Sequence, residues 1–212
     1  MAKSLFICLT NIDNPYHLIR SLIYIATNLM ATSYLNDLLD QPTALQATLD
    51  SLSRMPPLTT IYNRLKSGKY RRVILTGMGS SYHGLYPLQL RLFALPVGVM
   101  RLETAELIHY AWQLIDPANL IVAVSQSGQS AEVVQLLELT HDQVDLIGVT
   151  NTIGSALAEN ASLVILTCAG DETSVSCKTY ISALVALTWL GDQLLGEEAR
   201  FPTLADVPQK VA

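Results

Sequence analysis

The sequence predicts an α/β fold: a flavodoxin-like, doubly wound parallel sheet of five strands, preceded by N-terminal helices. Short apolar runs rich in β-branched residues recur from residue 72 onwards, amphipathic segments separate them, and polar loops follow several of the runs. Strands that alternate with helices are joined by right-handed crossovers, which produce a parallel sheet covered on both faces.

Each of the apolar runs is long enough for a strand and too short for a buried helix. The predicted strands are Arg72–Thr76, Val97–Leu102, Leu120–Val124, Leu146–Val149 and Leu163–Leu166. Glu132–Leu139 places apolar residues at helical spacing, and Ser176–Leu195 is a long segment that is apolar on most faces. Both segments are predicted to be helices that cover the sheet.

Helices are also predicted before the sheet. The helical pattern that begins at residue 33 is interrupted at Gln41-Pro42, and a second helix is expected to start there because proline is tolerated in a first turn. Met55-Pro56-Pro57 ends it, and Leu58–Leu65 is one more short helix. The predicted organisation is a poorly defined N-terminal extension (1–32), lead-in helices (33–71), the α/β domain (72–197) and a C-terminal linker or tail (198–212).

Composition excludes several classes of protein. Of the 212 residues 50% are hydrophobic and 15% are charged, whereas a disordered chain needs low hydrophobicity and high net charge. The longest apolar stretches are far shorter than the roughly 20 residues of a membrane span. A net charge of −5 without an extended basic patch argues against nucleic acid as a partner. The three cysteines are expected to be reduced thiols in a cytoplasmic protein, and no metal site is indicated.

The loop after the first strand is a candidate ligand site, because ligands of open parallel sheets bind where strands end and helices begin. Gly79 lets a ligand approach the backbone, and Ser80 and Ser81 add hydroxyl groups. The spacing is neither that of a dinucleotide-binding loop nor that of a P-loop. The alternative is that the serines only cap the next helix.

The loop after Leu120–Val124 is a stronger candidate. Its sequence, Ser125-Gln126-Ser127-Gly128-Gln129-Ser130, places five hydrogen-bonding side chains around one glycine, whereas a helix cap needs only one. Hydroxyl and amide groups without a cation suit a phosphate monoester held at the start of a helix. The alternative is a polar surface turn.

A third polar segment, Ala169–Lys178, follows the last strand and precedes the long helix. Glu172 either contacts a sugar hydroxyl or amine, or only interacts favourably with the dipole of that helix. Lys178 either meets a phosphate or lies in solvent, and the solvent-exposed position is the expectation.

Together the sequences GMGSSYHG, VSQSGQSAE and AGDETSVSCKTY resemble the sugar isomerase (SIS) domain family. The resemblance covers residues 33 to 195. It is strongest to the first of the two SIS halves in the isomerase module of glucosamine-6-phosphate synthase, and to the glutaminase-free relatives of that enzyme. It implies the SIS version of the flavodoxin-like fold and a site for a phosphosugar such as fructose 6-phosphate or glucosamine 6-phosphate.

The resemblance also implies which residues bind the phosphosugar. By motif position these are Gly79, Ser80, Ser81, Ser125, Gln126, Ser127, Ser130 and Val175. Gln129 stands where the synthases commonly have an acidic residue, and Ser130 replaces a common threonine. No metal ion and no cofactor are implied.

In the family, the acid/base glutamate, the ring-opening histidine and the Schiff-base lysine belong to the second SIS half or to the tail, and no match to them is expected here. Glu172 and His83 are weak candidates for proton transfer. If the chain is active, the resemblance implies an aldose–ketose isomerase, aminotransferase or deaminase type of reaction.

Three functions stay open at this point. The leading prediction is a phosphosugar-binding SIS domain related to isomerase and aminotransferase modules. The alternatives are a non-catalytic phosphosugar sensor and a truncated remnant of a longer isomerase. The expected partners are a hexose phosphate and either a second copy, in a homodimer, or a second SIS half.

Overall fold

The computed structural model describes residues 19, 23, 33–140, 144–172, 175–196 and 204–212. Its strands are β1 (Arg72–Gly77), β2 (Gly98–Glu103), β3 (Asn119–Val124), β4 (Asp145–Thr150) and β5 (Leu163–Leu166). All neighbouring strands are parallel, in the order β2-β1-β3-β4-β5. This is the strand order of a flavodoxin-like sheet, and it confirms the predicted fold class.

The helices of the described residues follow a helical segment at 33–39. They are α1 (Gln41–Ser53), α2 (Thr59–Lys66), α3 (Ser80–Gly84), α4 (Tyr86–Leu92), α5 (Thr104–Tyr110), α6 (Ala131–Leu139), α7 (Ala156–Asn160), α8 (Lys178–Leu195) and α9 (Val207–Val211). A 3₁₀ turn, Trp112–Leu114, lies between α5 and β3. Within these described ranges, no helix has both the length and the apolar character needed to cross a membrane.

Alternate strand residues face two separate apolar layers. Val73 and Leu75 pack with α1, α2, α4 and α8, whereas Ile74 packs on the opposite side with α5, α6 and α7. Because both faces of the central strands are covered, β1, β3 and β4 are buried at consecutive residues rather than at alternate ones. The helices on both faces leave the carboxyl ends of the strands as the place where loops from several elements meet.

The helix boundaries differ in part from the sequence predictions. Pro42 lies in the first turn of α1, as predicted, and α8 begins at Lys178 rather than at Ser176. The sequence patterns do not predict α3, α4, α5 and α7, because a helix of two turns or fewer is too short to show a helical period. Most of the predicted N-terminal extension and part of the predicted tail lie outside the described residues.

Asp145, the first residue of β4, is the centre of a polar cluster at the amino end of the sheet. Its carboxylate accepts hydrogen bonds from Arg64 Nη1 at 2.5 Å, from Lys69 Nζ at 2.6 Å and from the Tyr70 hydroxyl at 2.6 Å. Partial burial acts to raise the pKa of Asp145. The hydrogen bonds and the two cations outweigh burial, so the pKa lies below its ordinary value.

The lowered pKa of Asp145 predicts a pH dependence of stability. A carboxyl group with a depressed folded-state pKa contributes stability above its unfolded-state pKa of about 4, and this stability is lost as the pH falls through the folded-state value. Urea unfolding at pH 7 and at pH 3 should therefore show a smaller loss of unfolding free energy for Asp145→Asn than for the wild type. An equal loss in both proteins would contradict the prediction.

Candidate functional site

A cavity that is partly open to solvent lies at the carboxyl ends of β1, β3, β4 and β5. The strand order places β1 between β2 and β3, so the loops after β1 and β3 diverge at the point where flavodoxin-like sheets bind their ligands. The lining residues are Ser80, Ser81, Gly84, Val124, Gln126, Val149, Thr150, Asn151, Thr167, Ser176, Thr179, Tyr180, Ala183 and Leu187. The polar groups among these residues are neutral hydroxyls and amides.

The first loop contributes Ser80 and Ser81 to the cavity. Gly79 precedes them with a φ of 53°, a backbone conformation that favours glycine, and α3 begins directly after it. Neither serine caps this helix, and neither hydroxyl is hydrogen-bonded to another residue in the part of the chain that the structure describes. Both hydroxyls can therefore serve a ligand.

The serine loop, residues 125–130, is held by hydrogen bonds within itself. Ser125 Oγ accepts from the Gly128 N–H at 3.1 Å, and Ser127 Oγ accepts from the Gln129 N–H at 3.3 Å. Ser130 is the N-cap of α6 and accepts from the Val133 N–H at 3.4 Å. Because the three hydroxyls act here as acceptors, their own protons remain available to a ligand oxygen.

The middle of the serine loop is fixed to the end of β4. The Gln126 carbonyl oxygen accepts hydrogen bonds from the Asn151 N–H at 3.1 Å, from the Thr150 hydroxyl at 3.2 Å and from the Thr152 hydroxyl at 3.4 Å. This backbone anchoring fixes the position of Gln126, which lines the cavity and whose side chain carries both donors and an acceptor.

Asn151 joins the loops after β4 and β5. Its Oδ1 accepts from the Thr167 hydroxyl at 2.9 Å and from the Ala169 N–H at 2.7 Å, and its amide group donates to the Gly170 carbonyl at 2.8 Å. The connection fixes the backbone around Cys168, which has a φ of 53°. By bonding to these three partners, the Asn151 side chain fixes the part of the cavity wall that Thr167 forms.

Glu172 caps the first turn of α8. Its Oε1 accepts from the backbone N–H groups of Cys177 at 2.6 Å and Lys178 at 2.8 Å, and its Oε2 accepts from the Thr179 hydroxyl. Partial burial acts to raise the pKa of Glu172, but these hydrogen bonds outweigh it and the pKa lies below its ordinary value. The carboxylate therefore stays ionised at neutral pH, which does not suit a proton donor.

The expectation that Lys178 lies in solvent is wrong. Its side chain is buried, and Nζ lies 3.0 Å from Asp40 Oδ2 and 3.2 Å from Asp37 Oδ1. Burial acts to lower the pKa of Lys178, but the two carboxylates outweigh it and the pKa is raised. The sequence pattern does not reveal this because both partners belong to a segment far upstream.

Two other predicted residues, His83 and Val175, are not among the residues that line the cavity. His83 is exposed on α3. Its ring packs edge-on against the ring of Tyr82, and the two ring centroids are 5.5 Å apart. Val175 is 66% exposed and follows two residues outside the described ranges. The structure thus brings Ser80, Ser81 and Gln126 together around the cavity, with the other serines in the loop beside it.

Several cavity residues escape the sequence analysis. Thr150 and Asn151 carry the same signal as the two predicted loops, since both are polar residues at the carboxyl end of a predicted strand. Thr179 and Tyr180 carry no such signal, because they belong to a long and mostly apolar helix and are placed at the cavity only by its packing.

The sequence is similar to one known domain family and to several named enzymes. Residues 68–194 match the SIS domain. The glutamine–fructose-6-phosphate aminotransferase (isomerizing) of Pyrococcus horikoshii is 32% identical over 195 residues, which cover 84% of this chain and 31% of that protein. The aminotransferase of the same name from Symbiobacterium thermophilum is 33% identical over 174 residues, or 75% of this chain and 28% of that protein. The chain spans about a third of the length of these relatives.

A solved structure has the same fold at lower sequence identity. The C-terminal domain of glucosamine-fructose-6-phosphate aminotransferase from Francisella tularensis superimposes with a TM-score of 0.64 at 19% identity, covering 84% of this chain and 51% of that chain. The family match over residues 68–194 spans the whole sheet and all the loops that form the cavity. The chain belongs to the SIS domain family and is related to the glutamine–fructose-6-phosphate aminotransferases.

Proposed function

We propose that this chain binds a hexose 6-phosphate in the cavity, with the phosphate group at the loops after β1 and β3. The observation that carries the proposal is the convergence of Ser80, Ser81 and Gln126 at one cavity from two neighbouring strands. Both loops lead directly into helices, and the positive dipole end of the longer helix, α6, favours an anion.

The relatives support this choice of ligand. The curated relatives are aminotransferases of fructose 6-phosphate by name. Fructose 6-phosphate is therefore the first ligand to test, and an unphosphorylated sugar is the natural comparison. The proposed function places the chain in the cytoplasm, where such metabolites and reduced cysteines occur together.

The proposed division of roles follows the position of each residue. Ser80, Ser81 and Gln126 contact the phosphate oxygens, and Ser125, Ser127 and Ser130 shape the loop that holds them. We assign the sugar to the part of the cavity that Thr179 and Tyr180 of α8 line. Gly79 provides the turn before Ser80, and Val175 stays a predicted sugar contact.

We propose binding rather than turnover for the chain by itself. Isomerisation moves a proton between two carbons, which requires a group that exchanges protons near neutral pH. The described residues that line the cavity offer neutral hydroxyls and amides, and Glu172 is engaged in capping α8. A second copy of the chain, or a second SIS half, would have to supply the proton-transfer groups of an enzyme.

Thermal unfolding with and without millimolar fructose 6-phosphate tests the proposal. A ligand at about 100 times its Kd adds about 2.7 kcal/mol to the free energy of unfolding, which raises Tm by a few degrees. Fructose at the same concentration should leave Tm unchanged, and the chain alone should not convert the phosphate ester. An equal response to both sugars, or none to either, would refute the proposed site.

The variant Ser81→Ala tests the contribution of the first loop. Loss of one hydrogen bond to the phosphate should weaken binding by about 1.5 to 3 kcal/mol, since the acceptor is charged. Ser67→Ala is the matched control, because its hydroxyl bonds only the Arg64 carbonyl at the far end of the sheet, at 3.1 Å. Calorimetric titration should show weaker binding for Ser81→Ala alone. Equal Kd values in both variants would remove Ser81 from the site.

A further inference from the structure

The first observation is the burial of the Lys178 ammonium group between two carboxylates. Lys178 is 5% exposed and Asp37 is 7% exposed, while Asp40 completes the cluster from the same helical region. A lysine is rarely buried to this extent unless it is paired. The cluster therefore requires the region around residues 37–40 to stay docked on the start of α8.

The second observation is the position of Lys178 between the docked region and the cavity. Its side chain reaches Asp37 and Asp40, while its backbone N–H donates to Glu172. The next two residues, Thr179 and Tyr180, line the cavity. The first turn of α8 is thus held on one side by ion pairs and on the other by the Glu172 cap.

A third observation concerns α1, which follows the docked region directly. The Thr48 hydroxyl donates to the Thr167 carbonyl at 2.6 Å, and the Ser51 hydroxyl donates to the Leu166 carbonyl at 3.0 Å. Thr167 also lines the cavity. The region from residue 33 to residue 53 therefore contacts two separate parts of the cavity wall, the loop after β5 and the start of α8.

We infer that residues 33–53 support the ligand cavity and that Lys178 is the positioning residue that joins them to it. Lys178 acts through its neighbours, because its ion pairs fix the turn that carries Thr179 and Tyr180. The part of the inference that concerns ligand affinity rests on the proposed function, whereas the part that concerns the first turn of α8 does not.

The test compares Lys178→Met with Lys178→Arg and with Arg64→Met. Arg64→Met removes a more exposed ion pair, Arg64–Asp145, at the opposite end of the sheet. Amide hydrogen exchange with residue resolution is measured first, without ligand. We expect the N–H groups of Cys177 and Lys178 to exchange about tenfold faster in Lys178→Met, because their bonds to Glu172 open locally. Lys178→Arg should restore slow exchange, and Arg64→Met should not disturb it.

The second measurement is the Kd of fructose 6-phosphate by calorimetry at a temperature at which all variants are folded. A misplaced cavity wall should raise the Kd about tenfold in Lys178→Met, the equivalent of one lost hydrogen bond, and leave it unchanged in Arg64→Met. Equal Kd increases in the two variants would mean that general destabilisation is the cause, and would overturn the positioning role.

The two measurements separate the possible failures. If the wild type binds no fructose 6-phosphate, the proposed function fails, and the exchange data alone decide whether Lys178 positions the turn. If exchange at Cys177 and Lys178 is the same in Lys178→Met and wild type, the inference is overturned whatever the affinity. Should Lys178→Met not fold, Asp40→Asn replaces it, because Asp40 is half-exposed and Asp37 still pairs with the lysine. The Asp40→Asn variant must then show faster hydrogen exchange at the N–H groups of Cys177 and Lys178.

Discussion

Replacement of Gly128 by alanine should lower the free energy of unfolding by about 3 kcal/mol or more and abolish the phosphosugar binding proposed above. Gly128 has a φ of +63°, and an added Cβ would lie 2.8 Å from Ser155 Cβ and 2.8 Å from Thr150 Oγ1. The Ser155 hydroxyl would be in still closer contact, and it caps α7. Neither the loop nor α7 can move freely, because the Leu157 N–H donates to the Gly128 carbonyl at 3.0 Å.

Gly170→Ala is the control that separates the cost of the left-handed backbone conformation from the cost of the clash between side chains. Gly170 has a φ of +75°, but an added Cβ there would have no atom within 4 Å. We expect it to cost about 1 kcal/mol, the penalty of the left-handed conformation alone. Urea unfolding measures both variants, and the difference between them is the cost of displacing Ser155. Equal losses would show that the serine loop adjusts without disturbing α7.

Replacement of Arg91 by leucine should lower the free energy of unfolding by about 3 to 5 kcal/mol, because it removes a guanidinium group that is paired with a buried carboxylate. Asp192 is fully buried on α8, and its Oδ1 accepts from Arg91 Nη2 at 2.6 Å. Arg91 also donates from Nη1 to the Thr188 carbonyl at 2.9 Å. The guanidinium group therefore joins α4 to α8.

A second, exposed ion pair provides the control for Arg91. Arg71 Nη2 lies 3.4 Å from Asp116 Oδ1, with side chains that are 65% and 40% exposed. Replacement of Arg71 by leucine should change the free energy of unfolding by less than about 1 kcal/mol, because water screens the pair. Chemical denaturation measures the free energy of unfolding of both variants. A small effect for Arg91→Leu would mean that Asp192 is satisfied by its other surroundings.

The strands and the serine loop could be predicted from the sequence because their signals are local. A strand buried on both faces carries a run of consecutive apolar residues, and β1, β3 and β4 each contain one. The serine loop lies where such a strand ends, so its place at the cavity follows from the topology. The same reasoning covers Thr150 and Asn151, which the sequence analysis missed although they follow the next strand.

The environment of Lys178 could not be predicted in this way. A lysine at a helix start is ordinarily exposed, and only the packing of residues 33–53 against α8 brings Asp40 to it from 138 positions away. The role of Glu172 was similarly open, because a carboxylate at that position either contacts a ligand or caps the helix. Its two short bonds to backbone N–H groups favour the cap.

The two hydroxyl bonds from α1 to the end of β5 also bear on how molecules of this protein can associate. Among the described residues, β5 is an outer strand of four residues that pairs with β4 alone. Outer strands with unpaired backbone groups are templates for intermolecular sheets and for aggregation. Here the Ser51 hydroxyl donates to the carbonyl oxygen of Leu166, the last residue of β5, so α1 covers the carboxyl end of this strand. A strand from another molecule would have to displace α1 there to extend the sheet along the whole of β5.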